Sequence, residues 1–466
     1  MRPPWSRWLL LPLALLPLAV IRASLLAESD TFWQIRVGLD ILTTHRIPQT
    51  DPYSWTAFGT AWHPNSWAFD VVLALAYRLG DLPLAALAGA AFIPLIGVTV
   101  ALGARRLGAR PGLTLLVLLL GLTPLVTYLS ARPQIVDYVA VPLLLVVLDV
   151  AVNDIGRVRR WCALASLGLI QVVWVNLHLV APLGVAIVVC GSVGHLLRQF
   201  TRQSVLIGAA AALVTAAGSL ASPFGWRVLE MAVSVRNDSV YILEWSHFSP
   251  RMIGADVLLL LAVAAAVASW RLRAHPHLLT VVTLAASGMY AIRMLPIAVV
   301  AGLPVLARFA DSSDRRTAYV DSRRALLRFA TVGLIVAESL VALVKIPTLG
   351  EPPYPIAAVL AMPADCRLFN GYRLGGPVIL LRPDIPVSQD SRSDLYGGDL
   401  LLAAHRIEFE ENGVQQLEQT GATCALILPQ TPLANALRTA PGWRAAGGDA
   451  TGVLFVRAPV SAGRTP

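Results

Sequence analysis

The sequence predicts an all-α polytopic membrane protein of about eleven transmembrane helices, with a small C-terminal extracytoplasmic α/β domain. Three observations lead there. Of 466 residues, 56% are hydrophobic and only 14% are charged, against roughly 25% charged in soluble domains. The apolar residues run in blocks of the 17–25 residues that a bilayer requires. The arginines gather between those blocks, where they set orientation in a membrane. The net charge of +9 is therefore read as topology, and no nucleic-acid partner is expected.

The N-terminal stretch MRPPWSRWLLLPLALLPLAVIRASLLA has a basic start and an apolar middle. It is compatible with a signal peptide, but the apolar run continues past Arg22 and no small-x-small cleavage site precedes the acids that follow. It is read as a retained first helix. Spans are expected at 8–26, 82–104, 112–129, 134–151, 160–176, 179–198, 204–221, 254–270, 277–291, 294–309 and 325–345. The segment 66–79, SWAFDVVLALAYRL, is short and contains Asp70, so it is read as interfacial. With the N-terminus in the cytoplasm, this choice places Arg105, Arg106 and Arg110, then Arg157, Arg159 and Arg160, then Arg198 and Arg202, then Arg271 and Arg273 all inside. The segment 308–324 falls on the same side. If 66–79 crossed, every cluster would move outside.

The opposite face collects the distinctive polar residues: Glu28, Asp30, Asp51, His63, Arg132, Asp137, Asn176, His178, Glu244 and Arg293. Ionisable groups near membrane depth are costly and tend to line a cavity or a site. The expected division is a transmembrane domain, 1–345, with a large first outer loop at 27–81, and a domain at 346–466 on the outer surface. In the loop, Phe32, Ile35, Leu39 and Leu42 have helical spacing, which puts Asp30 near a helix N-terminus. The plain alternative for Asp30 is an N-cap. Trp33, Tyr53, Trp55, Trp62 and Trp67 suit an interfacial belt or, more sharply for some of the tryptophans, a wall for a lipid-linked substrate. The tail shows strand-like runs at 377–381, 424–428 and 452–456, with helical candidates near 397–407 and 412–420. Cys366 and Cys424 lie there, where an oxidising compartment would permit a pair.

The run ESDTFWQIRVGLDILTTHRIPQTDPYSWTAFGTAWHPNSWAFDVV is followed in order by SARPQ, WVNLH, SPFGW, ILEW and YAIRMLP. This ordered set resembles the bacterial polytopic proteins of the GT-C glycosyltransferase superfamily, most nearly the branch whose first outer loop runs Asp-x-x-Trp, then Gly, then Pro-x-Thr-Asp-Pro, and the tail stretches FNGYRLGGPV and DSRSDLYGGDLL resemble the tail of that branch. The resemblance implies a plasma-membrane transferase that uses a polyprenyl-phosphate-linked sugar and an extracytoplasmic acceptor, which would be a glycan, a lipid or a protein. It implies an acidic residue of the first outer loop as base or metal ligand. That position matches Asp30, with Glu28 second. The sequence reads Glu-Ser-Asp where better-known members carry paired acids, so a divalent metal is not demanded.

Such a donor already carries its leaving group. A carboxylate can take the acceptor proton, and an arginine fork suits the departing phosphate. Arg132, in SARPQ, and Arg293 are the clamp candidates, with snorkelling to lipid headgroups as the plain alternative. Asn176 and His178 are placed to orient a hydroxyl, and Glu244 is a second acid or an arginine partner. Asp51 and His63 are chemically suited to a metal, although their spacing does not require one. Two rival classes remain: a transporter or flippase, which would show broken helix pairs in both halves, and a non-catalytic envelope scaffold.

Overall fold

Helices dominate the computed structural model, which describes residues 5–154, 156–180, 182–231, 245–252, 254–314 and 320–458. Glu244 lies outside the described residues. The chain divides into two units, one made of Met1–Ser24, Leu82–Val233 and Ile242–Gly350, the other built chiefly from Leu25–Asp81 and Glu351–Pro466. The first outer loop therefore shares a unit with the tail.

In the first unit, the described residues contain Ser6–Ala23, Ile135–Asn153, Arg157–Leu177, Ile292–Ser312 and Ala325–Thr348 as helical stretches long and apolar enough to cross a membrane. A sixth, Trp67–Arg106, starts in the other unit. Pro111–Leu125 and Leu183–Arg198 are shorter apolar helices. The expected span at 8–26 is two helices, Trp5–Leu13 and Leu16–Ala23. Pro17 opens the second of them, a position that needs no amide donor. The helix Leu295–Asp314 is the core of this unit, with Leu295, Ala298, Val299, Val300 and Leu303 fully buried. Its neighbours approach through small residues. A Cβ on Gly302 would come within 2.3 Å of the Ala265 Cβ, and one on Gly103 within 3.0 Å of Pro304. Close approach of this kind is how membrane helices gain packing energy where burial from water supplies none. By contrast, only 11% of the apolar window in Ala325–Thr348 is buried.

The long apolar run from Trp67 to Arg106 is not one rod. Gly80 (φ −172°, ψ 38°) and Asp81 (φ 52°, ψ −153°) break the helix, and the boundary between the two units falls at the same place. Asp81 has a positive φ with extended ψ, a conformation that side-chain-bearing residues rarely adopt.

The second unit joins the helix Ser29–Thr44 and the start of Trp67–Ala90 to a four-stranded sheet. The strands are β1 (Leu368–Asn370), β2 (Cys424–Ile427), β3 (Trp443–Asp449) and β4 (Gly452–Arg457), in the order β1-β2-β4-β3. β1 and β2 are parallel, while β4 runs antiparallel to both β2 and β3. Phe369, Leu417, Ile427, Leu433, Leu437 and Phe455 form the core beside the sheet. The helices Ser393–Phe409 and Gly413–Gln419 match the expected ones.

The run 377–381 is a correction. It lies in the helix Gly375–Leu381, not in a strand. Periodicity cannot separate a short, fully buried helix from a buried strand, and here both faces are covered. Pro377 suits a first helical turn, where its missing N–H costs nothing. The strand that pairs with β2 is instead Leu368–Asn370, three residues long. Cys366 and Cys424 form a disulfide, Cα to Cα 5.7 Å, tying the start of β2 to the approach to β1.

Candidate active site

The second unit holds the acids of the first outer loop. Glu28, not Asp30, is the N-cap of Ser29–Thr44, with extended backbone (φ −89°, ψ 117°) and no side-chain capping bond. Asp30 sits in the first turn, half-buried. Several contacts hold this helix end. Tyr354 donates to the Ala27 carbonyl at 2.6 Å and packs edge-on against Phe32. Burial pushes the Tyr354 hydroxyl up to about 12, so it stays a donor at neutral pH. Gly376 lies so close to Ser29 that a Cβ would sit 2.2 Å from the Ser29 carbonyl oxygen.

Asp70 is fully buried and within Coulombic range of Asp30. Ser66 donates to one of its oxygens at 3.1 Å, and its other oxygen makes no hydrogen bond among the described residues. The helix that carries it crosses Ser29–Thr44 at Gly38, where a Cβ would come within 2.1 Å of the Asp70 carbonyl oxygen.

Asp51 is buried in a different network. It accepts from the backbone N–H groups of Tyr53 and Ser54, both at 3.1 Å, and from the Ser54 hydroxyl at 2.5 Å. Arg392 donates to it at 2.8 Å and grips Asp390 with two bonds, at 2.8 and 2.6 Å. The guanidinium lies over the Trp62 ring at 4.5 Å, and Tyr396 donates to Asp390 at 2.6 Å. Facing carboxylates push the Arg392 pKa up against the opposing effect of burial, so it remains charged. Loop and tail are joined further by an isolated bridge between Ser54 and Val387, by Trp55 Nε1 donating to the Leu368 carbonyl at 2.8 Å, and by Trp33 Nε1 donating to Ser391 at 3.1 Å. Asp51 thus spends its acceptors on structure. His63 lies half-buried on the same loop.

The first unit holds the other candidates. His178 Nδ1 is 2.7 Å from Asp137 Oδ1, and Trp174 Nε1 donates to the same oxygen at 2.8 Å. Asp137 thereby fixes both the ring orientation of His178 and the C-terminal end of Arg157–Leu177. The Asn176 amide donates to the carbonyls of Val172 at 2.8 Å and Ala221 at 2.9 Å, so its N–H groups are engaged by backbone. Arg132 is half-buried ahead of Ile135–Asn153. Arg293 stacks its guanidinium over Trp245 at 4.5 Å. Ile292 N–H donates to the Ser246 carbonyl at 3.2 Å and Phe248 N–H to the Met289 carbonyl at 3.0 Å, so residues 246–248 meet the YAIRML stretch.

Among the described residues no three His, Cys, Asp or Glu side chains converge as a metal site. The Asp51 and His63 set does not fit one, since Arg392 occupies Asp51. Asp137 appeared in the sequence only as one outer polar residue among ten, and Asp70 only as a charge inside a short apolar segment. Their burial against His178 and near Asp30 depends on long-range packing. Arg392 lies in the distinctive tail stretch SQDSRSDLYGG, but nothing local to it names Asp51 as its partner.

No family model and no curated protein matches the chain. Solved structures do. ArnT from Cupriavidus metallidurans in its apo state aligns with TM-score 0.55 at 15% identity, covering 97% of this chain and 98% of that one. The same enzyme bound to undecaprenyl phosphate gives 0.58 at 16% identity over the same shares. The archaeal oligosaccharyltransferase AglB from Archaeoglobus fulgidus, in complex with an inhibitory peptide and a dolichol-phosphate, gives 0.63 at 12% identity, covering 91% of this chain and 70% of that one. The likeness runs through the helical region and the tail together, and the chain has the fold of the GT-C membrane glycosyltransferases.

Proposed function

We propose that the protein transfers a sugar from a polyprenyl-phosphate donor to an acceptor on the outer face of a bacterial plasma membrane. The observation that carries this reading is the fold shared over nearly the whole chain with a structure that holds undecaprenyl phosphate. The membrane arrangement follows the arginines: about eleven spans, an N-terminus in the cytoplasm, and the tail outside.

In the proposed reaction an acceptor hydroxyl attacks the anomeric carbon from the face opposite the phosphate. The carbon–oxygen bond to phosphate breaks, its electrons leave on the polyprenyl phosphate, and the configuration inverts. Asp30 takes the hydroxyl proton, with Glu28 as the second acid. Asp30 lies in the first turn of the helix Ser29–Thr44, and a positioned base of this kind contributes roughly 10²–10⁴-fold. Arg132 holds the departing phosphate, because its fork offers paired donors to two oxygens. Arg293 is the second clamp, held in place by its stack on Trp245. His178, oriented by Asp137, is suited to bind a sugar or acceptor hydroxyl. Glu244 is kept as a further acid on the grounds of its sequence position alone.

The test is mass spectrometry of envelope glycans, lipids and glycoproteins from a deletion strain complemented with wild type or with Asp30→Asn. The expected result is that wild type restores a modification and Asp30→Asn, at equal expression, does not. Identical restoration by both removes the catalytic assignment and favours a scaffold. Restored movement of a lipid-linked sugar without covalent transfer favours a flippase.

A further inference from the structure

The first unit contains a cavity of about 990 Å³ at the opposite ends of its helices from His178 and Arg293. Four arginines line it: Arg106, Arg198, Arg273 and Arg308. Asp149 is the one acidic residue in the lining. Arg106 is bound to Asp149 at 2.6 Å and to Asp154 at 3.0 Å, and Arg308 is 3.3 Å from Asp311. Arg198 and Arg273 make no ion pair among the described residues. The C-terminal ends of several helices meet here and offset part of this charge, but two guanidinium groups are left facing an open space.

Three histidines, His195, His275 and His277, line the same cavity, and the Nδ1 of His275 is buried without a hydrogen bond among the described residues. Arg273 is held at φ +53° in the turn between Ala255–Arg271 and His275–Tyr290. A non-glycine residue in that region is strained, and its persistence asks for a reason. The lining also includes Trp270, 68% exposed, and Leu197, 64% exposed. Such side chains suit the level of the headgroups. Arginines that only set orientation need to lie between spans. They need not converge on one cavity with buried imidazole donors and an apolar rim.

The geometry points to a binding site for the phosphate of an anionic phospholipid, with the headgroup in the arginine-lined cavity and an acyl chain along Trp270 and Leu197. The apolar rim is what favours a lipid over a free phosphate, and basic pockets between helices on the cytoplasmic side are suited to such headgroups. Only the naming of the leaflet rests on the orientation proposed above. The binding itself is independent of sugar transfer.

Native mass spectrometry of the full chain in neutral detergent tests this, with phosphatidylglycerol or phosphatidylcholine titrated in and inorganic phosphate as competitor. Phosphatidylglycerol should bind preferentially. The Arg198→Gln/Arg273→Gln pair should lose about fivefold in affinity per arginine. Arg198→Lys/Arg273→Lys should keep most of the preference. Both arginines are exposed, and an unchanged melting temperature would confirm that the variants fold. Equal binding of the two lipids, or a preference that survives the Gln pair, would overturn the site. Displacement of phosphatidylglycerol by millimolar inorganic phosphate would reassign it to a soluble anion and overturn the lipid.

Discussion

Arg392 shows how one side chain can organise a large part of the second unit. It is 2% exposed, satisfied by Asp51 and Asp390, and roofed by Trp62. Removing it would leave two buried carboxylates without their cation, a change that costs about 3–5 kcal/mol. Arg392→Met is therefore expected to lower the melting temperature sharply and to expose the loop 45–66 to limited proteolysis, both measurable in detergent. Glu408 is a second residue with a definite consequence. Burial pushes its carboxyl up to about 7 from an ordinary 4.5. The folded state then binds the proton more tightly than the unfolded chain. The stability this gives is full below about pH 4.5 and is lost as the pH rises through about 7, roughly 3 kcal/mol in all. Glu408→Gln should match wild type in thermal stability near pH 4.5 and exceed it at pH 8. An unchanged difference across that range would remove the buried-acid account.

At the scale of elements, close backbone approaches set the position of the Asp30 helix. Gly38 admits the Asp70 carbonyl and Gly376 admits Ser29. A methyl group at Gly376 must displace backbone, not a flexible side-chain tip. Overpacking of this sort costs about 1–3 kcal/mol. Gly376→Ala is expected to destabilise the unit by that amount and, on the proposed mechanism, to lower transfer by moving the turn that carries Asp30. Loss of stability with full transfer would separate Asp30 from the chemistry. The Cys366–Cys424 disulfide closes a stretch with a sequence separation of 58. Its removal by Cys366→Ser/Cys424→Ser should cost about 4 kcal/mol on the chain-entropy account, read as a lower melting temperature that matches reduced wild type. The helix Ser29–Thr44 was legible because Phe32, Ile35 and Leu39 keep a 3.6-residue period. Gly375–Leu381 was not, because every residue up to Leu380 is buried and no period survives. β3 was also illegible: WRAAGGD has one buried residue and is held by its partner strand.

For the whole molecule, the arrangement of arginines makes a topological prediction. Single cysteines introduced at Asp30 and Arg132 should both label from outside intact cells, and one at Arg159 should not. Labels on opposite sides for the first two would end the proposed chemistry, whatever the fold. Composition and block length already carried the membrane class, and the tail was recognisable from its change in charge.

The sequence by itself determined the presence of the apolar helices and the α/β character of the tail, because hydrophobic period, proline and charge act over a few residues. It also singled out most of the polar residues described above. Only the tertiary structure decided that Asp51 is consumed by Arg392, 341 positions away, that Asp137 orients His178, and that residues 25–81 fold with the tail. The first and last of these join segments hundreds of residues apart and the second joins positions 41 apart, and a buried charge is stable only once its partner has been brought to it.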